Sequence, residues 1–386
     1  MNLYAIKKLP GVYRTLSVLR RISGQLWMRA LHGLQGTRPK RVFFSSFKGS
    51  GYSDNPRYIS EALHRLRPDL EIVWQLNRRV CGAAPDYVRV VPPHSLRALT
   101  ELTTARCIVD NFNRPIHFLK FPDQLYVQTW HGDRGFKKML FDLNDGLDYP
   151  DGQQMDLAVS GSYFGTRVFR TAFRYDGEVM QVGMPRNDAL VRADLRQIAA
   201  IRRTLGVDED VQVMLYAPTF RNASSGFAQK AGFDLVRARE TLEAATGRRW
   251  LILTRAHDQN SGVSGSTGEG IRDVTGYPEM AELLLAADLL ITDYSSSAGD
   301  YVLLDRPVIL YQPDLDPFMA SDREMYFDLR RCPYTRAESE AELLALLADF
   351  PRLNRDGAPV RRFYGVTETG QSAEAVARWI SGHIPR

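Results

Sequence analysis

Residues 287–314 read ADLLITDYSSSAGDYVLLDRPVILYQPD, and the way this stretch is built decides the fold. Leu289, Leu290 and Ile291 form a short apolar run of the kind that a strand covered on both faces requires. Thr292, Asp293, Ser295, Ser296 and Ser297 follow at once, supplying hydroxyls and capping groups where a helix would open. Strand, polar loop and helix in that order place unpaired backbone N–H groups and a helix dipole where they favour an anion, so phosphate is the first expectation for this loop. Plain helix capping by Ser295 or Ser296 is the simpler reading of the same residues. The remaining segments decide between the two.

On either side, apolar strand-like runs alternate with helical stretches, the pattern of stacked βαβ units around parallel sheets. Arg41 to Ser46, Glu71 to Gln75, Tyr87 to Val91, Cys107 to Val109 and Leu125 to Thr129 read as strands in the first half. Val213 to Tyr216, Trp250 to Leu253, Leu289 to Thr292 and Val308 to Tyr311 read as strands in the second. Asp188 to Asp210 reads as a charged helical link between two α/β domains, which is the organisation a 386-residue chain favours over one oversized core. Ser261 to Gly270, SGVSGSTGEG, reads as a glycine- and serine-rich loop, and no internal repeat is visible.

An apolar content of 44% with 25% charged residues excludes a disordered chain and allows sizeable cores. Cys81, Cys107 and Cys332 have no metal-ligand spacing and are too few for a disulfide framework, which suits a reducing cytosol. No apolar run reaches membrane-spanning length, and Lys7, Lys8 and Pro10 are not followed by a signal-peptide core.

Charge is unevenly spread. Residues 1–53 hold ten basic residues and no Asp or Glu, so taking those ten from the net +5 leaves −5 for the rest. Leu16, Leu19, Ile22, Leu26, Trp27 and Leu31 recur near helical spacing among Arg14, Arg20, Arg21 and Arg29, which predicts a basic amphipathic helix within residues 1–40. Such a helix suits an anionic membrane surface, or else it packs on the protein body with its arginines in water. Gly24 weakens it as a free-standing helix. Nucleic acid is disfavoured, because no aromatics suited to base stacking are interleaved with these basic residues.

The polar constellations fall at the carboxyl ends of the expected strands, where such folds place their chemistry. TWHGDRGFKK, 129–138, puts His131 in a tight loop ahead of what reads as a basic helix, and a histidine there suits general-base work or a structural hydrogen bond. Arg134, Lys137 and Lys138 offer charge to a phosphate, or form a solvated face. YAPTFR, 216–221, ends on Arg221, whose planar fork suits bidentate phosphate contact, and TRAHD, 254–258, offers Arg255 and His257. With Ser295 and Ser296 these give cations, hydroxyls and backbone donors from three successive strand ends, the makings of a pyrophosphate clamp. In FKGSGYSDNPR, 47–57, Gly49 and Gly51 permit close backbone approach, and a structural turn is the plainer reading.

Taken in order, SFKGSGYSDNPRYI (46–59), QTWHGDRGFKKM (128–139), VGMPRND (182–188), YAPTFR, TRAHD, ITDYSSSAGDYVLLDRPVILYQPDL (291–315) and MYFDL (325–329) resemble the CDP-glycerol glycerophosphotransferase family. These are cytosolic enzymes that prime and polymerise wall teichoic acids and related phosphate-linked capsules. The resemblance spans about Arg41 to Phe350 and implies a glycosyltransferase-B-like α/β fold, with two Rossmann-like domains facing a cleft. Residues 41–190 would form the acceptor domain and 191–386 the CDP-glycerol-binding domain, behind the basic segment 1–40. His131 resembles the family's catalytic histidine and His257 its second essential histidine. Arg221, Ser295 and Ser296 resemble its donor-binding groups, and Thr219, Thr292, Asp293 and Arg186 are placed with them on the donor and phosphate side. Gly49, Gly51, Asp54 and Asn55 are placed on an acceptor-side loop.

The activity so implied is transfer of glycerol phosphate from CDP-glycerol to a hydroxyl of a polyprenyl-diphosphate-linked saccharide, at the inner face of the bacterial membrane. Arg221, His257 and the serine loop would stabilise phosphate charge while His131 takes the hydroxyl proton. No metal-ligand cluster or cofactor motif is evident, and a Mg²⁺ ion carried on the donor remains compatible. Three alternatives stay open: a nucleotide-sugar glycosyltransferase using Glu279 or Asp300 on the sugar, a CDP-ribitol enzyme, and a non-catalytic scaffold at the membrane surface. Short-product action is favoured over polymerisation, since no extra module is obvious.

Overall fold

The computed structural model describes residues 10–144, 147–219, 232–256, 268–321 and 324–386. Its first sheet contains β1 (Arg38–Ser45), β2 (Glu71–Gln75), β3 (Arg89–Val91), β4 (Ala105–Asp110), β5 (Leu125–Gln128), β6 (Leu157–Ser160) and β7 (Glu178–Gln181). A second sheet contains β8 (Gln212–Ala217), β9 (Trp250–Thr254), β10 (Ile271–Asp273), β11 (Leu289–Thr292), β12 (Val308–Tyr311) and β13 (Thr335–Ala337). The strand orders are β3-β2-β1-β4-β5-β6-β7 and β10-β9-β8-β11-β12-β13, with parallel pairing throughout. Helices cover both faces of each sheet, and this is why β6, β11 and β12 are buried along their whole length and read as apolar runs, the first two closing on a single hydroxyl residue, Ser160 or Thr292.

In each sheet the winding direction reverses once, between β1 and β4 and between β8 and β11. A crevice opens beyond the carboxyl ends of the strands at such a reversal. Register brings those ends level: Ser45 lies opposite Asp110, Asp110 opposite Gln128, and Ala217 opposite Thr292. The loops 46–53, 111–124 and 129–139 therefore leave the first sheet side by side, and the loops after Ala217 and Thr292 leave the second together.

The division expected at residue 190 separates the two sheets but not the packing. The helix Ser372–His383 returns to the first sheet, where Ala373, Val376, Ala377 and Ile380 share a core with Ile59, Leu63 and Trp74. Hydrogen bonds from Thr367 N to Gly161 O (2.9 Å) and from Tyr163 N to Gly365 O (2.9 Å) guide the returning chain. Residues 365–384 therefore belong with the first sheet.

The expected N-terminal helix is present as Pro10–Gln35. Gly24 is its docking point, since a Cβ there would come within 2.6 Å of the His117 Cβ. Met28 is buried, and His32 stacks on Phe121 with ring centroids 3.8 Å apart. Leu19, Ile22, Leu26 and Trp27 face outward and are 51–62% exposed. The helix thus docks through Gly24, Met28 and His32 and leaves Leu19, Ile22, Leu26 and Trp27 uncovered. Among the described residues, no helix is long and apolar enough to cross a membrane.

Candidate active site

β5 ends at Gln128, and Trp130 turns the chain with φ 51°, a left-handed conformation that a bulky residue holds only under constraint. Two contacts supply the constraint: Trp130 N donates to Gln128 Oε1 at 2.9 Å, and Asn55 Nδ2 donates to Trp130 O at 2.9 Å. The next residue is His131, whose Nδ1 lies 2.7 Å from the carbonyl oxygen of Asn111. A carbonyl only accepts, so Nδ1 carries a proton and Nε2 is the nitrogen that gains or loses the titrating one. Phe112 stacks on the imidazole at 5.2 Å with a 3° interplanar angle, and Trp130 and Phe47 close two further sides. The ring is fixed in tautomer and in plane.

Asn111, which directly follows β4, is the hub of this side. Besides holding His131, its Oδ1 accepts from Phe47 N (2.8 Å), and its Nδ2 donates to Ser46 Oγ (3.2 Å) and Asp54 Oδ1 (3.0 Å). The glycine loop is thereby bound to the histidine loop. Gly49 is required where it stands, with φ 94° and with Pro93 Cγ 2.8 Å from where its Cβ would be. Gly51 lies against Ser53, whose Oγ would be 2.9 Å from an added Cβ. Asp54, at φ 59°, donates its backbone N–H to Glu279 Oε2 at 3.0 Å.

On the second sheet, Thr292 Oγ1 donates to Ala217 O (2.7 Å), and Asp293 Oδ1 accepts from Thr219 N (2.9 Å) and Tyr294 N (2.5 Å), so the loops after β8 and β11 are fastened together. Thr292 and Asp293 are buried and shape the loop from within, while Ser295 and Ser296 are half-buried. The helix they open, Ser297–Tyr301, has only five residues, and the Ser296 side chain makes no cap hydrogen bond; the expected capped helix with a sizeable dipole is corrected to a short turn of polar backbone. Ser297 Oγ donates to Ser295 Oγ at 2.9 Å. The two halves meet here, because a Cβ on Gly132 would lie 3.5 Å from Ser296 Oγ.

Arg186 and Arg134 depart from expectation. Arg186 is 4% exposed, and its guanidinium is filled by Asp300 (2.8 Å), Asp54 (3.1 Å) and the His131 carbonyl (3.0 Å). In this structure the guanidinium is spent on protein partners, so nothing in its geometry supports the expected donor-phosphate contact. Arg134 is fully buried against Asp300 (2.6 Å) and Glu368 (2.8 Å), with Asp133 at 3.8 Å. The segment after His131 is turns and a bridge, not a basic helix, with Lys138 paired to Glu324 at 2.6 Å and Lys137 over the Phe318 ring. Asp54 and Asn55 also turn inward, to Arg186, Glu279 and Trp130, so the acceptor-side loop displays its glycine end alone.

The acids reserved for a sugar-binding alternative are occupied too. Asp300 lies between two arginines that hold its carboxyl below the usual range despite burial. Glu279 caps the helix Met280–Ala286 through Ala281 N. Burial, with Asp54 beside it, pushes the Glu279 carboxyl up to about 7. Between its unfolded value of 4.5 and about 7 the folded chain keeps a proton that the unfolded chain has released, so stability falls as pH rises through that window. Glu279→Gln is expected to flatten this part of the pH dependence, read as urea midpoints at about pH 5 and about pH 7.5. An undiminished slope would assign it to other groups, such as Asp110, which burial pushes up to about 6.

Arg221 and His257 lie outside the described residues. Among the described residues, no group of three or more His, Cys, Asp or Glu is placed to hold a metal ion. Sequence reasoning missed Asn111 and Glu368. Asn111 had a usable signal, a polar residue at a strand end next to an aromatic. Glu368 had none, standing 234 residues from the arginine it meets.

Two doubly wound sheets, with a fixed histidine at one crevice and a serine loop at the other, define a glycosyltransferase-B-type architecture. Residues 27–382 match the CDP-glycerol:poly(glycerophosphate) glycerophosphotransferase family, and the chain belongs to it. A teichoic acid poly(glycerol phosphate) polymerase of Staphylococcus epidermidis is 31% identical over 81% of this chain, which spans 46% of that protein's length. A teichoic acid glycerol-phosphate transferase of Staphylococcus aureus is 28% identical over 88% of this chain and 92% of its own. Solved structures of the wall teichoic acid polymerase TagF superpose over 97% of this chain and 98% of theirs, a histidine-to-alanine variant with TM-score 0.81 at 25% identity and a histidine-to-asparagine variant soaked with CDPG with 0.80 at 26%.

Proposed function

We propose that the chain transfers glycerol phosphate from CDP-glycerol to a hydroxyl of a lipid-linked saccharide. The hydroxyl oxygen attacks the β-phosphorus in line, the bond from that phosphorus to the CMP oxygen breaks, CMP leaves, and a phosphodiester remains. His131 Nε2 takes the hydroxyl proton. The serine loop of Ser295 and Ser296 faces the phosphates, and Arg221 and His257 keep the donor-side roles their motifs imply. Reactions of this kind depend on positioning and on charge stabilisation more than on covalent chemistry. The observation that carries the reading is the His131 ring, locked through Nδ1 by the Asn111 carbonyl, on a loop whose Gly132 lies against Ser296.

The test supplies CDP-glycerol, CDP-ribitol and a UDP-sugar in turn, with a synthetic polyprenyl-linked disaccharide, and follows nucleotide release and product mass. CMP and a glycerol-phosphate increment are expected. UDP release would move the protein to sugar transfer, and preference for CDP-ribitol would change the donor.

The helix Pro10–Gln35 supports a peripheral place on the cytoplasmic membrane face, where a lipid-linked acceptor lies. Leu19, Ile22, Leu26 and Trp27 stand outward with Arg29 exposed beside them. Each basic residue near an anionic surface contributes about 1 kcal/mol, and salt screens it. Sedimentation with anionic liposomes should therefore fall at high salt and fall further for Trp27→Ser/Leu26→Ser, while equal pelleting of both proteins would make this helix a part of the folded body alone.

A further inference from the structure

We infer that Arg186 is a positioning residue that sets the spacing between the base loop and the phosphate-facing loop. The catalytic part of this inference rests on the function proposed above.

Five hydrogen bonds to four residues carry the argument. Arg186 Nη1 donates to the His131 carbonyl at 3.0 Å and to Asp54 Oδ2 at 3.1 Å. Nη2 and Nε both donate to Asp300 Oδ2, at 2.8 and 3.2 Å. Its backbone N–H donates to Asn55 Oδ1 at 3.1 Å. One planar group therefore touches the histidine loop, the glycine loop, and the short helix whose first turn carries the serines. Asp300 belongs to the five-residue helix Ser297–Tyr301, and Ser295 and Ser296 lead into it through hydrogen bonds from Ala298 N to Ser295 O (3.3 Å) and from Gly299 N to Ser296 O (3.0 Å).

Arginine suits this position for a geometric reason. Its fork sends donors along one plane in divergent directions, whereas a lysine ammonium is a single point that cannot reach Asp300 and the His131 carbonyl together. Burial removes competing water, so the contacts stay closed. Arg134 and Asn187 occupy the other Asp300 oxygen at 2.6 and 2.9 Å, leaving that carboxylate no freedom to follow a shortened partner. A displacement of about 1 Å between reacting groups is enough to cost on the order of 10²-fold in rate.

The spacing can be read without any substrate. A Cβ on Gly132 would lie 3.8 Å from the Ser296 Cβ, the ordinary separation across a disulfide. In a background with the exposed Cys81 replaced by serine, the Gly132→Cys/Ser296→Cys protein should cross-link readily with oxidised glutathione. Adding Arg186→Lys should slow cross-linking by about tenfold or more. With Gly132 and Ser296 restored, Arg186→Lys should lower kcat by about 30- to 100-fold, with KM for CDP-glycerol within about threefold and the melting temperature close to wild type. Arg186→Gln serves in the same comparison if the lysine variant fails to fold.

Equal cross-linking rates with and without Arg186, normal turnover despite slow cross-linking, or a raised donor KM at full turnover would each overturn the inference, the last by restoring Arg186 to a phosphate contact. A wild-type protein that releases no CMP from CDP-glycerol would sink the reaction proposed above, while the cross-linking rates would still decide whether Arg186 sets the spacing.

Discussion

His131→Ala is expected to lower turnover of CDP-glycerol by about 10²- to 10⁴-fold while changing donor affinity little. The range is what loss of a positioned general base costs. The His131 Nδ1 is held by the Asn111 carbonyl and its plane by Phe112, so no rotamer search precedes proton transfer. Donor affinity should survive because the residues on the phosphate side come from the second sheet. Steady-state release of CMP and calorimetric binding of CDP-glycerol, measured on the same preparation, separate the two quantities. Weak donor binding with normal turnover at saturation would make His131 a donor ligand. His131→Asn should not restore activity, since its amide nitrogen can reproduce the hydrogen bond that Nδ1 makes to Asn111 but cannot accept a proton near neutral pH.

Arg134→Ala should be the most destabilising substitution in the region, by about 3–5 kcal/mol. The guanidinium is fully buried and is the cation shared by Asp300 and Glu368. Its removal leaves two carboxylates in a dry site together with a cavity of arginine size. Burial already raises the Glu368 carboxyl, and Arg134 is the largest influence pulling it back. Without Arg134, Glu368 should take up a proton on folding, so the loss should be larger at high pH than at low pH. Urea unfolding at two pH values tests both points. A change under about 1 kcal/mol, or one independent of pH, would show that the carboxylates find other partners. Gly299 fits the same picture, because a Cβ there would press within 2.7 Å of the Arg134 Cβ.

The sequence was most legible where burial is one-sided in its demands. β11 and β12 are apolar throughout because both of their faces are covered, and DYSSS follows because a strand end must hand its backbone to polar groups. The strands β6 and β7 and the edge strands β10 and β13 were not foreseen; β7, β10 and β13 are not buried along their length and so lack the continuous apolar run that marks β11 and β12. His131 was legible as a glycine-flanked histidine after a strand, but its partner is a backbone carbonyl, which no side-chain pattern encodes. Arg186 was read as a phosphate ligand because the neighbours that neutralise it, Asp54 and Asp300, stand 132 and 114 residues away along the chain. The helix Ser372–His383 shows a clear apolar stripe, yet nothing in the stripe says which of two sheets it covers. Local chemistry fixes the elements here, while the charged cluster between them is written in separations no window spans.

The return of that last helix bears on how the chain is made. β7 closes the first sheet at Gln181, but Val376, Ala377 and Ile380, which complete its core, are synthesised almost two hundred residues later. At ribosomal rates of about 5–20 residues per second, the first sheet stands with one apolar face open for roughly 10–40 s, while the second sheet emerges and can fold. Ile59, Leu63 and Trp74 are exposed to chaperones during that interval. Translation that stops between the helix Ala358–Tyr364 and residue 372 therefore releases a molecule whose second sheet is complete and whose His131 half lacks part of its core.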